Sequence, residues 1–331
     1  MSEYIYEIED LKTWFPVKSS KLFNREKLYV HAVDGVSLKI KNGETLGIVG
    51  ESGCGKSTLG RSIVRLLEPT SGRLIYDGKD ITHLSTKEMR QYRKDLQIMF
   101  QDPYASLDPR MTVGNIIAEP IDRMHTITDK AERLKRITDL MEECGINKAF
   151  INRYPHEFSG GQRQRIGIAR ALSVDPRLIV CDEPVSALDV SIQSQIINLL
   201  MELRNQHDLT LLFISHDLGV VEYISDRVAV MYLGKVVELT ETERLFAKPL
   251  HPYTDALLDS IPQIGGQQLM KAETSLEGDI PSPVKPPSGC PFHTRCPEAS
   301  EECSRLVPKL MEQDPGHFVS CLKYDVCRPE E

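Results

Sequence analysis

The most specific chemistry in the chain is written in Gly50-Glu51-Ser52-Gly53-Cys54-Gly55-Lys56-Ser57-Thr58. The spacing G-x-x-x-x-G-K-S is that of a phosphate-binding loop. Its glycines let backbone N–H groups wrap a phosphate, and the N-terminus of a following helix adds partial positive charge. Lys56 is placed to reach the β- and γ-phosphates of a nucleotide, and the Ser57 hydroxyl to sit on Mg²⁺. The motif counts only between a strand and a helix. Thr45 to Val49 is apolar and β-prone, and Thr58 to Leu67 carries Leu59, Ile63, Leu66 and Leu67 at helical spacing, so that context is present. A chance glycine turn is the plainer and weaker reading.

Two further stretches carry residues that such a site needs. Leu178-Ile179-Val180-Cys181 reads as a buried strand that ends in Asp182 and Glu183. Asp182 is placed to hold Mg²⁺ beside Ser57, and Glu183 to polarise an attacking water. Many buried strands end in an acid, so this pattern takes its weight from the loop upstream. Phe158-Ser159-Gly160-Gly161-Gln162 precedes Ile166, Ile168, Ala169, Ala171 and Leu172, a helical pattern. A serine and two glycines at a helix N-terminus make a second phosphate-binding surface. The plainer reading is an N-cap serine in a glycine turn. Gln101 and His216 each follow an apolar strand-like run and would pass for ordinary loop residues if they stood alone. Arg163, Arg165 and Arg170 read as a solvated helix face.

These residues need a scaffold. Val33 to Ile40 alternates apolar and polar, as a half-buried strand does. Asn42-Gly43 reads as a hairpin turn into the strand at 45–49. Ser71-Gly72 and Asp77-Gly78 bracket a short strand, Arg73 to Tyr76. From Thr112 to Phe150 the pattern turns helical, with Leu134, Ile137, Leu140 and Met141 on one face. Ile192 to Leu203 reads as a helix between the buried strands Leu178–Cys181 and Leu211–Ile214. This β–α–β alternation predicts a parallel sheet covered by helices.

The whole chain sets limits. Its 331 residues suffice for one large domain and a smaller one. With 40% hydrophobic and 27% charged residues the composition is that of an ordinary soluble protein. A net charge of −8 argues against a broad nucleic-acid surface. No apolar run reaches the ~18 residues of a membrane span, and Met1 to Asp10 has no apolar signal core. The chain is therefore expected in the cytoplasm, free to dock on a membrane protein. Cys290, Cys296, Cys303, Cys321 and Cys327 crowd the end of the chain, behind a linker marked by Pro281, Pro283, Pro286, Pro287 and Gly289. In a reducing compartment such clustering suggests metal more than disulfides. Four thiolates suit an iron–sulfur cluster or zinc, although the short Cys-x-x-Cys knuckle usual for structural zinc is missing, and metal-free thiols remain an alternative. Cys327 reads as the spare thiol, and His293 and His317 as surface residues, with a ligand role as the alternative.

In order and spacing these motifs resemble the nucleotide-binding subunit of an ABC transporter, from about Tyr4 to Ile261. Gly50–Thr58 resembles Walker A and Leu178–Glu183 resembles Walker B. Ser159-Gly160-Gly161-Gln162 resembles the signature, with Phe158 where leucine is commoner. Gln101 resembles the Q-loop glutamine, Ser186-Ala187-Leu188-Asp189 the D-loop, and His216 the switch histidine. The resemblance implies an α/β fold: a RecA-like P-loop ATPase core with an antiparallel β subdomain, a helical subdomain inserted near 102–168 and a cysteine-rich C-terminal extension. It implies ATP and Mg²⁺ as ligands, with ATP held between Walker A of one chain and the signature of a second, head-to-tail chain. Ser159 and Gly161 would then act on the γ-phosphate in trans, Glu183 as general base, and His216 as the group that holds γ-phosphate and water. Gln101 would sense Mg²⁺ and link the site to the membrane subunit. An aromatic would stack on adenine. Phe15 is the choice by its offset, and Tyr29 the alternative because Lys18 to Lys27 looks like an insertion. A plain core contact is the simpler reading of either ring.

Gln101-Asp102-Pro103-Tyr104-Ala105-Ser106-Leu107-Asp108-Pro109-Arg110-Met111-Thr112-Val113 and His251 to Leu258 resemble the oligopeptide/dipeptide permease branch. That resemblance implies an importer ATPase subunit for peptides, with nickel or another non-peptide solute as alternative cargo. Its implied partners are two transmembrane permease subunits, an identical or paralogous ATPase subunit and, indirectly, an extracytoplasmic solute-binding protein, with no nucleic acid. The implied location is the cytoplasmic face of the cell membrane. Gly289 to Pro297 resembles the Gly-Cys-Pro-Phe-x-x-Arg-Cys-Pro of that branch's C-terminal extension, where some members carry a four-iron, four-sulfur cluster. Its ligands here would be Cys290, Cys296, Cys303 and Cys321, with zinc as the alternative. The expected domains are 1–262 for nucleotide binding and 263–331 for the extension. A soluble ABC ATPase acting on DNA or the ribosome is the rival, but it usually carries two cassettes or long insertions that this chain lacks. A regulatory module with a structural ATP site is a further rival, against which Glu183 and His216 argue.

Overall fold

A computed structural model describes residues 3–17, 27–260 and 278–324. Most of the expected insertion, the expected domain boundary at 262/263 and Cys327 lie outside them. The strands are β1 (Tyr4–Pro16), β2 (Tyr29–Lys41), β3 (Thr45–Val49), β4 (Ser71–Tyr76), β5 (Lys79–Asp80), β6 (Leu96–Met99), β7 (Leu178–Asp182), β8 (Thr210–Ile214), β9 (Arg227–Tyr232), β10 (Lys235–Glu241), β11 (Met311–Asp314) and β12 (His317–Val319). The helices are α1 (Lys56–Ile63), α2 (Thr86–Met89), α3 (Pro103–Ser106), α4 (Val113–Met124), α5 (Lys130–Glu143), α6 (Gly160–Leu172), α7 (Val190–His207), α8 (Leu218–Ile224), α9 (Thr242–Ala247) and α10 (Pro252–Asp259). They fall into two compact units.

One unit holds Lys41–Thr45 and His83–Ser215. In it β6, β7 and β8 run parallel, in register from Leu96 against Leu178 and from Leu178 against Thr210. Every residue of β7 and β8 is buried. That is why both read as unbroken apolar runs: a parallel strand covered on two faces has no polar side to alternate with. The helical block expected after Thr112 is α4, α5 and α6. Thr112 caps α4 through Asn115 N–H, and Asp129 caps α5 through Glu132 N–H. The buried stripe of α5 is Ile137, Leu140 and Met141. Leu134, expected on that face, is 52% exposed.

The other unit holds Tyr4–Ile40, Leu46–Thr82 and the chain from His216 onward. Its antiparallel sheet has the order β2-β1-β4-β5, and β3 pairs in parallel with β9, which continues through β10 to β12 and β11. Left-handed Gly35 (φ +83°) interrupts β2, so Val33 and Val36 both turn inward although they are three residues apart. β9 and β10 close through Leu233 and Gly234, both at positive φ, as a two-residue hairpin turn of the twist-matching kind requires.

Two expectations change here. Asn42-Gly43 does turn, with Gly43 at φ +73°, but β2 and β3 do not form a hairpin. The turn passes the chain from the antiparallel sheet to the other one, because β2 is paired with β1 and β3 is fully buried beside β9. The helix expected to reach Leu67 stops at Ile63. Arg65 takes φ +55° and sends its Nε–H to the Ile81 carbonyl, which leaves Leu66 46% exposed.

His317, expected at the surface, is 2% exposed. Its Nε2 lies 2.7 Å from Oε1 of fully buried Glu238, which also accepts the backbone N–H groups of Leu250 and His251. His251 caps α10 by accepting the Tyr253 N–H on Nδ1 at 3.0 Å. Burial depresses its affinity for protons from the ordinary 6.5 to about 4, against the pull of Glu238. Between those values the unfolded chain binds a proton that the folded chain does not, so stability falls as pH falls through that window. The loss from this residue is expected to approach about 3 kcal/mol at its acid end. Thermal melts between pH 7 and 5 test this: His251→Asn keeps a capping oxygen and should lose less stability on acidification than the parent. Parallel losses in the two proteins would contradict it.

Candidate functional site

The loop between β3 and α1 is built by left-handed glycines: Gly50 at φ +146°, Gly53 at +81° and Gly55 at +107°. At two of them space forbids a side chain. A Cβ on Gly50 would stand 2.2 Å from the Met231 carbonyl oxygen, and one on Gly55 would stand 1.9 Å from that of Ala32. The β9–β10 turn closes the loop further, since Gly234 N–H donates to the Cys54 carbonyl at 2.8 Å. Gly55 begins α1 without a side-chain cap, and the first turn carries no acidic residue. Lys56 is 5% exposed and folds over the loop, donating to the Gly50 carbonyl at 2.7 Å and the Glu51 carbonyl at 3.0 Å. Ser57 and Thr58 are half-buried on the first turn, while Ser52 and Gly53 face solvent.

Tyr253 and Arg295 grip this loop, and sequence reasoning gave neither a role. The Tyr253 hydroxyl accepts the Glu51 N–H at 2.9 Å. Arg295 clamps the Glu51 carboxylate with both nitrogens of its fork, at 2.8 and 3.1 Å, and Glu51 holds the guanidinium firmly protonated. Of the expected adenine stackers, Phe15 is 38% exposed. Trp14 stacks on His31 at 4.2 Å and lies 6.2 Å from Tyr29. Neighbouring residues of a strand face opposite sides, so Phe15 and Tyr29 present themselves on opposite faces. His216 is exposed ahead of Asp217, which caps α8 by accepting the N–H groups of Gly219 and Val220.

In the unit that carries β7, Asp182 is fully buried at the strand's end. Glu183 follows at φ +48°, a left-handed conformation unusual for a non-glycine, and its N–H donates to the Ile214 carbonyl at 3.0 Å. The chain thus leaves β7 with the Glu183 carboxylate turned to Gln101, whose Nε2 donates to it at 2.7 Å. The structure therefore brings together Gln101 and Glu183, which sequence placed only by order. Ser159 and Gln162 form a reciprocal capping box at the start of α6, at 3.4 and 3.0 Å. Gly160 and Gly161 are packing glycines as well. A Cβ on Gly161 would meet Ile192 Cγ2 at 2.4 Å. Asp189 begins α7, and Gln193 pins the preceding turn through the carbonyls of Val185 and Leu188. Arg163, Arg165 and Arg170 are not a solvated face: they donate to the carbonyls of Pro155, Cys144 and Ser106. Helical spacing alone looks the same for a solvated arginine and one that ties a turn.

The C-terminal thiols converge. Burial pushes the Cys290 thiol up to about 11, and the neighbouring charges of Cys303, Cys321 and Cys296 push the same way. Burial likewise raises the Cys296 thiol, with Cys321 and Cys303 pushing the same way, and the Cys321 thiol, with Cys303 pushing the same way. Cys290 N–H donates to the Cys303 carbonyl at 2.8 Å. As placed, no group of three or more His, Cys, Asp or Glu among the described residues could hold a metal ion.

A family model described as ABC transporter matches residues 33–186, and one described as Oligopeptide/dipeptide transporter, C-terminal region matches 237–303. The chain is 54% identical over 324 residues to the oligopeptide transport ATP-binding protein AppF of Bacillus subtilis, covering 97% of this chain and 98% of that one. It is 52% identical over 324 residues to the oligopeptide transport ATP-binding protein OppF of Escherichia coli, covering 97% and 96%. Among solved structures it resembles cbiO1 from Clostridium perfringens, part of the ABC transporter complex cbiONQ, with a TM-score of 0.63 and 29% identity over 75% of this chain and 92% of that one. It also resembles the dimeric post-hydrolysis state of the ATP-binding cassette MJ0796 bound to ADP and Pi, with a TM-score of 0.62 and 30% identity over 72% and 98%.

Proposed function

The chain belongs to the ABC-transporter ATPases, among the oligopeptide transport ATP-binding proteins, and from that premise we propose that it hydrolyses ATP to drive peptide import through partner permease subunits. The observation that carries the reading is the glycine-built phosphate loop with Lys56 folded over it, in a chain alike along nearly its whole length to two oligopeptide transport ATP-binding proteins. ATP binding closes a head-to-tail pair of such subunits, and hydrolysis reopens it.

The loop from Gly50 to Thr58 wraps the phosphates with its N–H groups, and Lys56 exchanges loop carbonyls for phosphate oxygens. Ser57, Asp182 and Gln101 offer the hard oxygen donors that Mg²⁺ takes. That ion, when bound, neutralises charge on the β- and γ-phosphates. Glu183 takes the proton of the attacking water, and Gln101 orients its carboxylate at 2.7 Å. Ser159, Gly160, Gly161 and Gln162 present the N-terminus of α6 to the partner's nucleotide, beside Asp189 at the start of α7. His216 holds the γ-phosphate, and Phe15 or Tyr29 stacks on the adenine. The subunit sits peripherally on the membrane's cytoplasmic face. No helix among the described residues is long and apolar enough to cross a membrane. Residues 1–262 form the nucleotide-binding domain and 263–331 the extension.

In that extension Cys290, Cys296, Cys303 and Cys321 would hold a four-iron, four-sulfur cluster. The 2.8 Å hydrogen bond from Cys290 N–H to the Cys303 carbonyl, the burial of Cys290 and the partial burial of the other three thiols support this donor set. Zinc held by the same four thiolates is the alternative. Bound cluster would staple a segment poor in large apolar residues.

Replacing Glu183 by Gln should lower the ATP turnover number by about 10²- to 10⁴-fold while MgATP binding survives. Unchanged turnover would remove Glu183 from the role of base. Protein purified without oxygen should show a broad visible absorption with matching iron and sulfide, both lost in Cys290→Ser. Colourless protein with bound zinc, or with no metal, would overturn the cluster.

A further inference from the structure

Glu51 is an awkward residue for a phosphate-binding loop. It puts a carboxylate one position into a backbone cradle made for polyanions, where like charge is repelled. The fold answers with Arg295. Both guanidinium nitrogens engage the Glu51 carboxylate, at 2.8 and 3.1 Å, and one also reaches the Tyr232 hydroxyl at 3.4 Å. The Arg295 side chain is only 5% exposed and that of Glu51 21%, so the pair is shielded from solvent far better than a surface ion pair.

Arg295 is itself held in place. It lies in the turn between Cys290 and Cys296, where its N–H donates to the Phe292 carbonyl at 3.0 Å. Phe292, 1% exposed, packs edge-on against Tyr232 and Tyr253 at 5.2 and 5.3 Å. Tyr253 in turn holds the Glu51 N–H. The cysteine-rich turn is thus docked on the opening of the phosphate loop by one aromatic plug and one bidentate ion pair.

We propose that Arg295 is a positioning residue for the nucleotide site: it neutralises and fixes Glu51, and so makes the affinity of the loop for ATP depend on the C-terminal turn that carries it. The inference rests on the reading of Gly50 to Thr58 as the ATP site and stands whether or not the thiols bind iron. If the turn moves off, Glu51 regains a free carboxylate beside the phosphates and ATP is held less well.

The test measures KM and turnover number for ATP, with direct binding of a fluorescent ATP analogue, on the full chain in its wild-type, Arg295→Gln, Glu51→Gln and doubly substituted forms. Arg295→Gln should raise KM and the analogue's dissociation constant about tenfold while turnover at saturation holds. Adding Glu51→Gln should recover most of that loss, because the exposed carboxylate is gone. A purely structural Arg295 would leave the double variant as weak as Arg295→Gln, and that result overturns the proposal, as does an unchanged KM in Arg295→Gln. If Arg295→Gln melts early, Arg295→Lys decides: it keeps the charge without the fork, so a KM within about threefold of wild type supports the proposal and a KM raised about tenfold contradicts it. Loss of analogue binding in all forms, wild type included, would instead overturn the ATP site.

Discussion

A loop that binds phosphate with its own backbone must run where side chains cannot follow, and the remainder of this structure is arranged to permit that. At Gly55 the Ala32 carbonyl oxygen occupies the space a Cβ would need, and at Gly50 the Met231 carbonyl does. These contacts come from β2 and from the end of β9. The loop therefore exists only because β3 is parallel to β9 and the β9–β10 turn reaches back to the Cys54 carbonyl. Fully buried β3 anchors one end and α1 the other. Left-handed glycines lower the steric barrier, and the packing around them supplies the rigidity that a free glycine run lacks.

The β7 edge is strained in a different way. Glu183 is held left-handed at φ +48° by its bond to Ile214 and by the turn that follows it. A non-glycine residue in that region carries about 1–2 kcal/mol of strain, which the parallel strands on either side of β7 offset through burial. The result is a carboxylate projected from a rigid strand end instead of a mobile loop, already hydrogen-bonded to Gln101. In the proposed role of base, a carboxylate fixed before substrate arrives would need little reorganisation to activate water.

Local pattern carried much of this into the sequence. The phosphate loop, the unbroken apolar runs of β7 and β8 and the cap that opens α6 are all written within a few neighbouring residues. What depended on pairing over distance was not legible. Asn42-Gly43 has hairpin chemistry, but which strand accepts β2 is decided by β1, far upstream. Arg163, Arg165 and Arg170 keep a helical spacing that fits solvent as well as it fits the carbonyls they reach. His317 looked like a surface histidine because nothing near it in sequence announces Glu238, its buried partner. Arg295 sits 244 positions from Glu51, and no local signal links a basic residue between two cysteines to a phosphate loop near the start of the chain.

The most direct measurement is a calorimetric titration of MgATP into the purified chain and into Gly55→Ala. The added methyl would fall 1.9 Å from the Ala32 carbonyl oxygen, in a backbone conformation that alanine resists. The account predicts one MgATP bound per wild-type chain and binding lost or severely weakened in Gly55→Ala, with the thermal transition of the protein retained. A folded Gly55→Ala that binds MgATP as tightly as wild type would contradict it, because the nucleotide would then not depend on the loop.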